Sequence, residues 1–549
     1  MQKKIRKFQN LVLVLDKKVQ ALNIPNQKWA TFVALIKTGQ ISDQPLIHAS
    51  NALMAFGLGK KACDLLLMGC DVLVQSPALL EKMVLTLREY EREKEAQHFL
   101  QKRIKADPQD WMATRLLARL YFHQERRELY TALIDDFIIN QPNHIPALIE
   151  KATFLSTNGG DSLEEYLDRI LVLEPDNVFA LSQKVQFFAL NYDFDAAAKL
   201  QKRLEKNHNE HALTAYCQGM IYDQQQDFKA ALSCYNEALQ RNPEMIEAYG
   251  KSGGMMIKLG QDLPEAWYRL EARFPQLLFR PDGPFWRGED LMGKKLLIWA
   301  EQGIGDQISF ASMLRDLPAD LAGVELECEA KLVALFQRSF PDIKVFPRRK
   351  RRKAGSYDYH IPIGALSRYL RPDLGSFTKS PIVSFTVEEQ AYSHWKSWLD
   401  GLGEGQKIGL CWRSGTKSNV RSRDAADLIE DLAPLLKRDD AIFINLFYGD
   451  GAEEIQAVAD ALSVTIHQPP ALDQFNDVNQ TAALIKGFDM VVGVACAPVR
   501  LAQAVGVQTT LLYTGLPGVV DPLWWPGAVY INRKPNEKWD LSPILNSQP

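Results

Sequence analysis

The sequence predicts a helical repeat array followed by two parallel α/β domains, and three observations lead to this fold class. In the first half, prolines recur at intervals of 32, 31, 34, 33, 68 and 32 residues between Pro45 and Pro275. In the second half, short apolar runs alternate with helical stretches, as in parallel strands wound into βαβ units. A glycine-rich segment separates two sets of these runs. We therefore expect domains at 1–280, 281–400 and 401–549.

Composition narrows the function classes before any motif is considered. The 549 residues are 46% hydrophobic and 24% charged, the ordinary balance of a folded soluble protein. The net charge of −3 provides no overall field that would draw the chain to nucleic acid or to an anionic membrane. Seven scattered cysteines suit a reducing cytoplasm and fit neither a zinc site nor a disulfide scaffold. The first apolar run, 11–15, is too short for a signal peptide, so we expect a cytoplasmic chain without a membrane span.

The repeat is clearest where residues recur at a spacing of 34. Phe194 is followed 34 residues later by Phe228, and Gly219 lies between them. A small residue lets two antiparallel helices approach, aromatic side chains fill the groove, and a proline ends the second helix. The pattern resembles the tetratricopeptide repeat (TPR) and is nearly complete at 212–245. We expect an α-solenoid of about seven or eight helix pairs, some of them degenerate.

Such an array has a concave surface, and this surface is the basis of the predicted partner. We expect a protein or peptide acceptor to bind there, because stacked repeats are built to present extended concave faces. The residues leave two alternatives open, a purely structural stack and a homodimer.

The second half is predicted to contain two Rossmann-like halves with a cleft between them. Residues 281–295 are expected to form a linker or the entry to the next domain, and 399–406 a glycine-rich hinge. The predicted strands are LLIWA (296–300), VELEC (324–328), KIGLCW (407–412), AIFINLF (441–447), MVVGVA (490–495) and TTLLY (509–513).

A glycine loop follows the first of these strands. Gln302, Gly303 and Gly305 allow a tight turn whose backbone amides approach a ligand, and Asp306 then begins the helix. In open α/β sheets, ligands bind at the carboxyl ends of the strands, where this loop lies. The alternative is a simple strand-to-helix turn in which Asp306 caps the helix.

Residues 285–314 resemble the corresponding part of bacterial TPR-containing glycosyltransferases related to glycosyltransferase family 9, the heptosyltransferase family. The resemblance continues through 357–371, 408–415, 443–450 and 481–506. It implies a GT-B fold, with a nucleotide-sugar donor on the C-terminal Rossmann-like domain and the acceptor on the N-terminal one. It also implies that cationic side chains and helix N-termini, rather than a metal ion, stabilise the departing diphosphate.

The resemblance further implies that Asp306 is the catalytic base. Arg413 suits a phosphate because a guanidinium binds it through two hydrogen bonds. Related enzymes have an acidic residue, a small hydroxyl residue and a histidine where this chain has Ala495, Cys496 and Arg500. An arginine at a helix N-terminus still suits a phosphate. The predicted donor-binding residues are Arg413, Ser414, Tyr448, Gly449, Cys496, Ala497, Pro498 and Arg500.

The resulting hypothesis is a glycosyltransferase that uses a nucleotide-sugar co-substrate, no metal and no other cofactor, and that modifies a protein acceptor. Two alternatives remain, a non-catalytic scaffold on a degenerate GT-B domain and transfer to a lipid or polysaccharide. Neither the basic run 348–353 nor Lys417, Arg421 and Arg423 changes this view, since solvated basic loops are common. Trp524 and Trp525 are expected to pack the C-terminal segment back onto the first Rossmann-like domain.

Overall fold

The computed structural model describes eleven stretches of the chain. The chain divides into two compact units, Met1–Ala180 and Leu181–Pro549. The described residues are 2–21, 27–38, 42–72, 76–158, 162–272, 281–348, 356–377, 385–414, 431–449, 451–534 and 537–545.

Helices follow one another through the described residues up to 270, in eight consecutive pairs, as the repeat period predicts. They are α1 (Gln2–Ala21), α2 (Gln27–Lys37), α3 (Asp43–Ala55), α4 (Gly59–Val72), α5 (Pro77–Glu89), α6 (Glu93–Ala106), α7 (Trp111–His123), α8 (Arg127–Asn140), α9 (Ile145–Asn158), α10 (Leu163–Leu173), α11 (Val178–Leu190), α12 (Phe194–His208), α13 (Ala212–Gln224), α14 (Phe228–Arg241), α15 (Ile246–Leu259) and α16 (Leu263–Leu270).

In six of the eight helix pairs, the turn between the two helices contains one residue with a positive φ. These residues recur with the period of the repeat, as the prolines do. A positive φ reverses the chain tightly between two antiparallel helices. Only two of these six residues are glycine, so the recurring turn conformation could not be recognised from glycine spacing in the sequence. They are Gly57, Glu91, Glu125, Tyr192, Gln226 and Gly260, with φ values of 71°, 58°, 61°, 60°, 65° and 65°.

The prolines have two roles rather than the single role that the sequence predicts. Pro108, like Pro142, Pro175 and Pro243, comes just after the second helix of a pair, as expected. Pro77 instead occupies the first position of α5. Proline is tolerated in a first turn because its missing N–H has no partner there in any case. In the second and third helix pairs, where Pro45 also lies in a first turn, proline therefore starts a helix rather than ending one.

The signature repeat packs as its small and aromatic residues predict. The side chain of Tyr235 in α14 is fully buried against Gly219 in α13. A Cβ at Gly219 would lie 2.7 Å from Cε1 of Tyr235. The helices can approach this closely only because position 219 has no side chain.

Gly219→Val should therefore lower the free energy of unfolding by about 1–3 kcal/mol, since a buried ring cannot move aside. Gly254→Val is the matched control, because a Cβ at that helical glycine meets nothing within 4 Å. Thermal denaturation of both variants measures the difference. Equal melting temperatures would show that the close approach at Gly219 does not determine this packing.

The second half forms two parallel sheets with helices between the strands. All six predicted strands are present, and the two sheets contain four further strands, β3, β4, β7 and β10. The elements are β1 (Lys295–Trp299), α17 (Ile304–Ala311), β2 (Gly323–Cys328), α18 (Val333–Ser339), β3 (Lys344–Pro347), β4 (Tyr359–Pro362), α19 (Ser367–Leu370), α20 (Glu389–Asp400), β5 (Gln406–Cys411), α21 (Ala433–Leu436), β6 (Ala441–Asn445), α22 (Ala452–Leu462), β7 (Ile466–His467), α23 (Val478–Lys486), β8 (Met490–Val494), α24 (Ala497–Ala504), β9 (Gln508–Thr514), α25 (Asp521–Trp524), β10 (Val529–Arg533) and α26 (Ser542–Leu545).

Each sheet changes winding direction once. The first has the order β3-β2-β1-β4, and the second β10-β9-β8-β5-β6-β7. The direction therefore reverses between β1 and β4 and again between β5 and β8. A central strand such as β8 is buried throughout, as expected where helices cover both faces of a parallel sheet. The GT-B-like pair of Rossmann-type sheets after a helical repeat array is the fold class that the sequence predicts, and it is confirmed.

The segment predicted as a linker or a domain entry packs against the first sheet, so it is the entry to that domain. Phe285 forms a parallel bridge with His360 of β4, and the backbone N–H of Trp286 donates to the His360 carbonyl at 2.9 Å. The Trp286 side chain is buried. A Pro- and Gly-rich composition predicted a loop, but burial of the large indole fixes this stretch beside the edge strand.

The last repeat helix contacts both α/β halves through Trp267. Its indole N–H donates to the carbonyl of Arg371 at 2.9 Å, and its ring lies 6.3 Å from that of Trp524. Trp524 also packs edge-on against Phe377 and Phe310 of the first α/β half. The expected return of the C-terminal segment onto that half is therefore confirmed for Trp524.

Candidate active site

The candidate site lies at the two points where the sheets change winding direction. Ligands of open α/β sheets bind at the carboxyl ends of the strands beside such a switch point. In the first sheet these ends belong to β1 and β4, and in the second to β5 and β8. The predicted glycine loop follows β1, and the predicted donor residues follow β5, β6 and β8.

The two switch points meet where α17 contacts α24. A Cβ on Gly305 would lie 3.6 Å from Cα of Ala497 and 3.7 Å from Cγ of Arg500. The first turns of two helices, one from each sheet, therefore lie side by side at Gly305. Helix N-termini carry partial positive charge, so their combination favours an anion nearby.

Buried polar side chains hold the glycine loop in place. Gln307, fully buried, donates to the carbonyl of Gln302 at 2.7 Å and accepts from the N–H of Glu329 at 3.0 Å. Glu301 accepts from the N–H of Gly364 at 3.2 Å, which links the ends of β1 and β4. Neither Gln307 nor Glu301 was predicted as a site residue, since their bonds to the backbone of Glu329 and Gly364 span 22 and 63 positions.

Asp306 lies in the first turn of α17 and is exposed. The N-cap of this helix is Gly303, so Asp306 does not occupy the N-cap position that the alternative assigns to it. Asp306 is the third helical residue instead, where the helix dipole stabilises a carboxylate. Its exposure leaves the carboxylate accessible to a substrate.

Arg413 lies just after β5, and it forms an ion pair with a carboxylate of the same chain. Its guanidinium is 3.1 Å from the Glu454 carboxylate and lies over the Phe447 ring at 4.6 Å. Glu454 belongs to the first turn of α22. A diphosphate bound by Arg413 would therefore have to replace or share this ion pair. Ser414, the next residue, is partly buried.

Tyr448 and Gly449 follow β6 on the same side of the second sheet. The Tyr448 ring stacks on Phe475 at 5.9 Å between centroids. Gly449 lines a cavity of about 520 Å³ together with Asn445 and Gln468. This volume is in the range of small-molecule pockets.

The four predicted residues after β8 form the start of α24. Cys496 is the N-cap, while Ala497 and Pro498 occupy the first two helical positions. Pro498 fits there because its missing N–H would have no helical partner. Arg500 is partly buried; its guanidinium donates to the Gln503 side chain at 3.2 Å and lies 6.0 Å from the Trp525 ring.

Two free thiols are in contact at the second switch point, one at the end of each of the two strands. Sγ of Cys411, at the end of β5, lies 3.2 Å from Sγ of Cys496, and both side chains are buried. The shared hydrogen bond, together with burial, raises the pKa of Cys411. Burial opposes ionisation of Cys496, but the hydrogen bond with Cys411 and the Arg500 charge hold its pKa below the ordinary value.

Native-state alkylation should detect Cys234 first among the seven cysteines, since the other six are buried. Reaction at pH 7 should still be slow, because burial raises the pKa of Cys234 to about 11. Mass spectrometry after iodoacetamide treatment measures this, and Cys234→Ser should remove the early adduct. Rapid labelling of Cys411 or Cys496 in the folded protein would contradict the burial of the pair.

Two further residues bridge the α/β halves and were not predicted. Lys331, after β2, donates to the carbonyl of Phe475 at 2.8 Å, and its ammonium lies 3.3 Å from the Phe475 ring centroid. Phe475 precedes α23 in the second half and is 54% exposed. Lys331, Phe475 and Tyr448 therefore form a short stack of side chains from both halves. No local sequence signal pairs residues that are 144 positions apart.

The loop after β9 brings the last repeats to this end of the second sheet. The N–H of Val519 donates to the carbonyl of Lys258 in α15 at 2.8 Å. A Cβ on Gly518 would lie 2.6 Å from Cα of Lys258. The repeat that contains α15 and α16 is therefore fixed beside strand ends of the second sheet.

Some predicted basic residues lie outside the described residues, namely Lys417, Arg421, Arg423 and 349–353. Arg348 is described, and its guanidinium lies 3.5 Å from the Glu329 carboxylate. Within the described stretches, no three His, Cys, Asp or Glu side chains are grouped closely enough to hold a metal ion. No described helix combines the length and the apolar character needed to cross a membrane.

The sequence is similar to a curated protein. Protein FlbA of Caulobacter vibrioides (strain ATCC 19089 / CIP 103742 / CB 15) is 32% identical over 346 residues, which are 58% of this chain and 56% of that protein. The matched region thus spans a little over half the length of this relative. No protein-family profile matches the chain.

Similar solved structures include glycosyltransferases. A family 9 glycosyl transferase from Veillonella parvula DSM 2008 has 13% identity and a TM-score of 0.34, over 47% of this chain and 91% of that one. The ADP-heptose LPS heptosyltransferase II of E. coli has 14% identity and a TM-score of 0.33, over 46% and 94%. A mutant O-GlcNAc transferase from Thermobaculum terrenum has 13% identity and a TM-score of 0.27, over 67% and 82%.

Proposed function

We propose that this chain is a glycosyltransferase that moves a sugar from a nucleotide-sugar donor to a protein acceptor held by the helical repeats. The observation that carries the proposal is the contact between the two switch points, where Gly305 meets Ala497 and Arg500. It brings the first turns of α17 and α24 together at the carboxyl edges of both sheets. A carboxylate and a guanidinium are thus available where an anionic ligand is best stabilised.

The proposed reaction needs a base and a stabilised leaving group. Asp306, on the acceptor-side domain 281–400, would take the proton of the acceptor hydroxyl as its oxygen bonds to the anomeric carbon of the sugar. The bond between that carbon and the diphosphate oxygen then breaks. Arg500 and the amides at the start of α24, on the nucleotide-sugar-side domain 401–549, would stabilise the negative charge that develops on the diphosphate.

The attachment of the last repeats to the α/β halves favours a protein as the acceptor. The backbone hydrogen bond from Val519 to Lys258 and the indole bond from Trp267 to Arg371 attach α15 and α16 to the α/β halves. An acceptor bound along these helices would keep a constant position relative to the cleft, which favours reaction because the reacting groups are already close.

The test is incorporation of labelled sugar from a panel of UDP-, GDP-, ADP- and CMP-sugars into separated protein and lipid fractions of cells that lack the gene. Purified full-length chain should restore label in the protein fraction with one donor, and Asp306→Asn should not. Label in the lipid fraction alone would refute the protein acceptor while retaining the enzyme. No incorporation with any donor would refute the enzymatic function.

A second candidate function is a non-catalytic scaffold, and the contact of Arg413 with Glu454 favours it. An intramolecular carboxylate occupies a guanidinium that a donor diphosphate would otherwise use. Ala495 also stands where related enzymes have an acidic residue. The scaffold predicts that Asp306→Asn and Arg500→Met leave the cellular function unchanged, whereas loss of the repeats abolishes it.

A further inference from the structure

A second concave site lies within the unit Met1–Ala180, between α1, α4 and α6. It encloses about 550 Å³, a volume in the range of ligand pockets. Its floor is apolar and includes Leu67, Met68 and Phe99. Lysines line its edge at positions 4, 7, 94 and 102.

The two acidic residues that line this cavity are already neutralised. Asp71 forms an ion pair with Lys4 at 2.7 Å. Glu95 binds Arg92 at 2.6 Å, and Arg92 also contacts Asp64 at 2.8 Å. Lys61 lies 3.1 Å from Asp64, so the two carboxylates of Glu95 and Asp64 are matched by the two cations Arg92 and Lys61.

Three cations are left over at the edge of the cavity. Lys7, Lys94 and Lys102 are exposed and make no ion pair with any side chain that the structure describes. The exposed His98 lies among them on α6. The site therefore combines an apolar floor with a net positive edge, although the chain as a whole carries a charge of −3.

We propose that this cavity binds an acidic, amphipathic peptide segment of a partner protein. Apolar side chains of the peptide would enter the floor, where methionine adapts its shape to different ligands. Carboxylates of the peptide would pair with Lys7, Lys94 and Lys102. A flat anionic membrane would reach the lysines but could not fill a concave floor, so charge and shape together favour a peptide. The proposal does not depend on the proposed glycosyltransferase function.

The test is fluorescence anisotropy of the full-length chain with a labelled helical peptide of about 14 residues, with leucine on one face and glutamate elsewhere. Binding should weaken about tenfold or more in the double variant Lys94→Glu/Lys102→Glu. It should also weaken when salt is raised, since exposed charge pairs are screened. Lys202→Glu/Lys229→Glu is the matched control, because it makes the same change in net charge at exposed sites on α12 and α14. This control should retain wild-type affinity.

Peptide variants test the floor without altering the protein. A peptide with serine for leucine and one with glutamine for glutamate should both bind at least about tenfold more weakly. Equal binding of the charge-reversed variant, equal binding of either altered peptide, or no binding by the wild-type chain would overturn the proposal. So would exclusive binding to phosphatidylserine vesicles. None of these outcomes depends on sugar transfer.

Discussion

Asp306→Asn is expected to lower the rate of sugar transfer by about 10²–10⁴-fold, the usual contribution of a positioned general base. Asparagine keeps the size of the side chain but cannot accept the acceptor proton. Because Asp306 is exposed in the first turn of α17, the fold should lose only about 0.3–1 kcal/mol of helix-dipole stabilisation. Single-turnover transfer from the active donor measures the rate, and thermal denaturation measures the stability.

Asp320→Asn is the matched control for this substitution. Asp320 is an exposed carboxylate of the same α/β half, but it precedes β2 and so lies at the amino end of the sheet. Its substitution should leave transfer unchanged. Wild-type transfer by Asp306→Asn would assign the base to another residue, whereas loss of transfer in both variants would indicate a general charge effect.

Trp267→Ala is expected to lower the free energy of unfolding of the unit Leu181–Pro549 by about 3–5 kcal/mol, as for other buried large aromatic residues. Only 6% of the Trp267 side chain is exposed, and it packs with Phe377 and Val520. The indole bond to the Arg371 carbonyl would be lost as well. Urea denaturation of the full-length chain measures the change as a lower transition midpoint for this unit.

Two controls separate packing from other effects. Trp267→Phe keeps most of the apolar area but removes the indole donor, so it should cost about 1–3 kcal/mol because the buried carbonyl loses its partner. Tyr268→Ala removes the neighbouring aromatic side chain, which is 46% exposed, and should cost less than Trp267→Phe. If Trp267→Ala unfolded at the same midpoint as Tyr268→Ala, the contact of α16 with the α/β halves would be dispensable.

The fold was predictable from the sequence where the pattern is local and repeated. Proline spacing and the 212–245 signature predicted the helix pairs, and continuous apolar runs predicted the central strands. Short strands were missed because β7 has only two residues, Ile466 and His467, too few to show a period. The prolines and glycines of 281–295 left a linker and a domain entry as alternatives, and burial of Trp286 decides for the domain entry.

The site was predictable only in part, because its contacts depend on strand order. The glycine loop and the start of α24 were predicted as parts of one cleft, and the structure places them in contact. The ion pair of Arg413 with Glu454 requires β5 to lie beside β6, and the thiol contact of Cys411 with Cys496 requires β5 beside β8. A single sequence contains no signal for these neighbours, so the roles of Glu454 and Cys411 emerged only from the fold.

The most direct test of the account is calorimetric titration of the full-length chain with UDP-, GDP-, ADP- and CMP-sugars. One donor is expected to bind with a Kd between about 1 μM and 1 mM, the usual range for enzyme substrates. Arg500→Met should weaken that binding about tenfold or more, since it removes a charged hydrogen-bond donor from the diphosphate. Asp306→Asn should leave the affinity within about twofold, because a base acts on the acceptor rather than on the donor. Absence of binding by all four classes, or unchanged affinity in Arg500→Met, would contradict the assignment of the cleft between α17 and α24 as a nucleotide-sugar site.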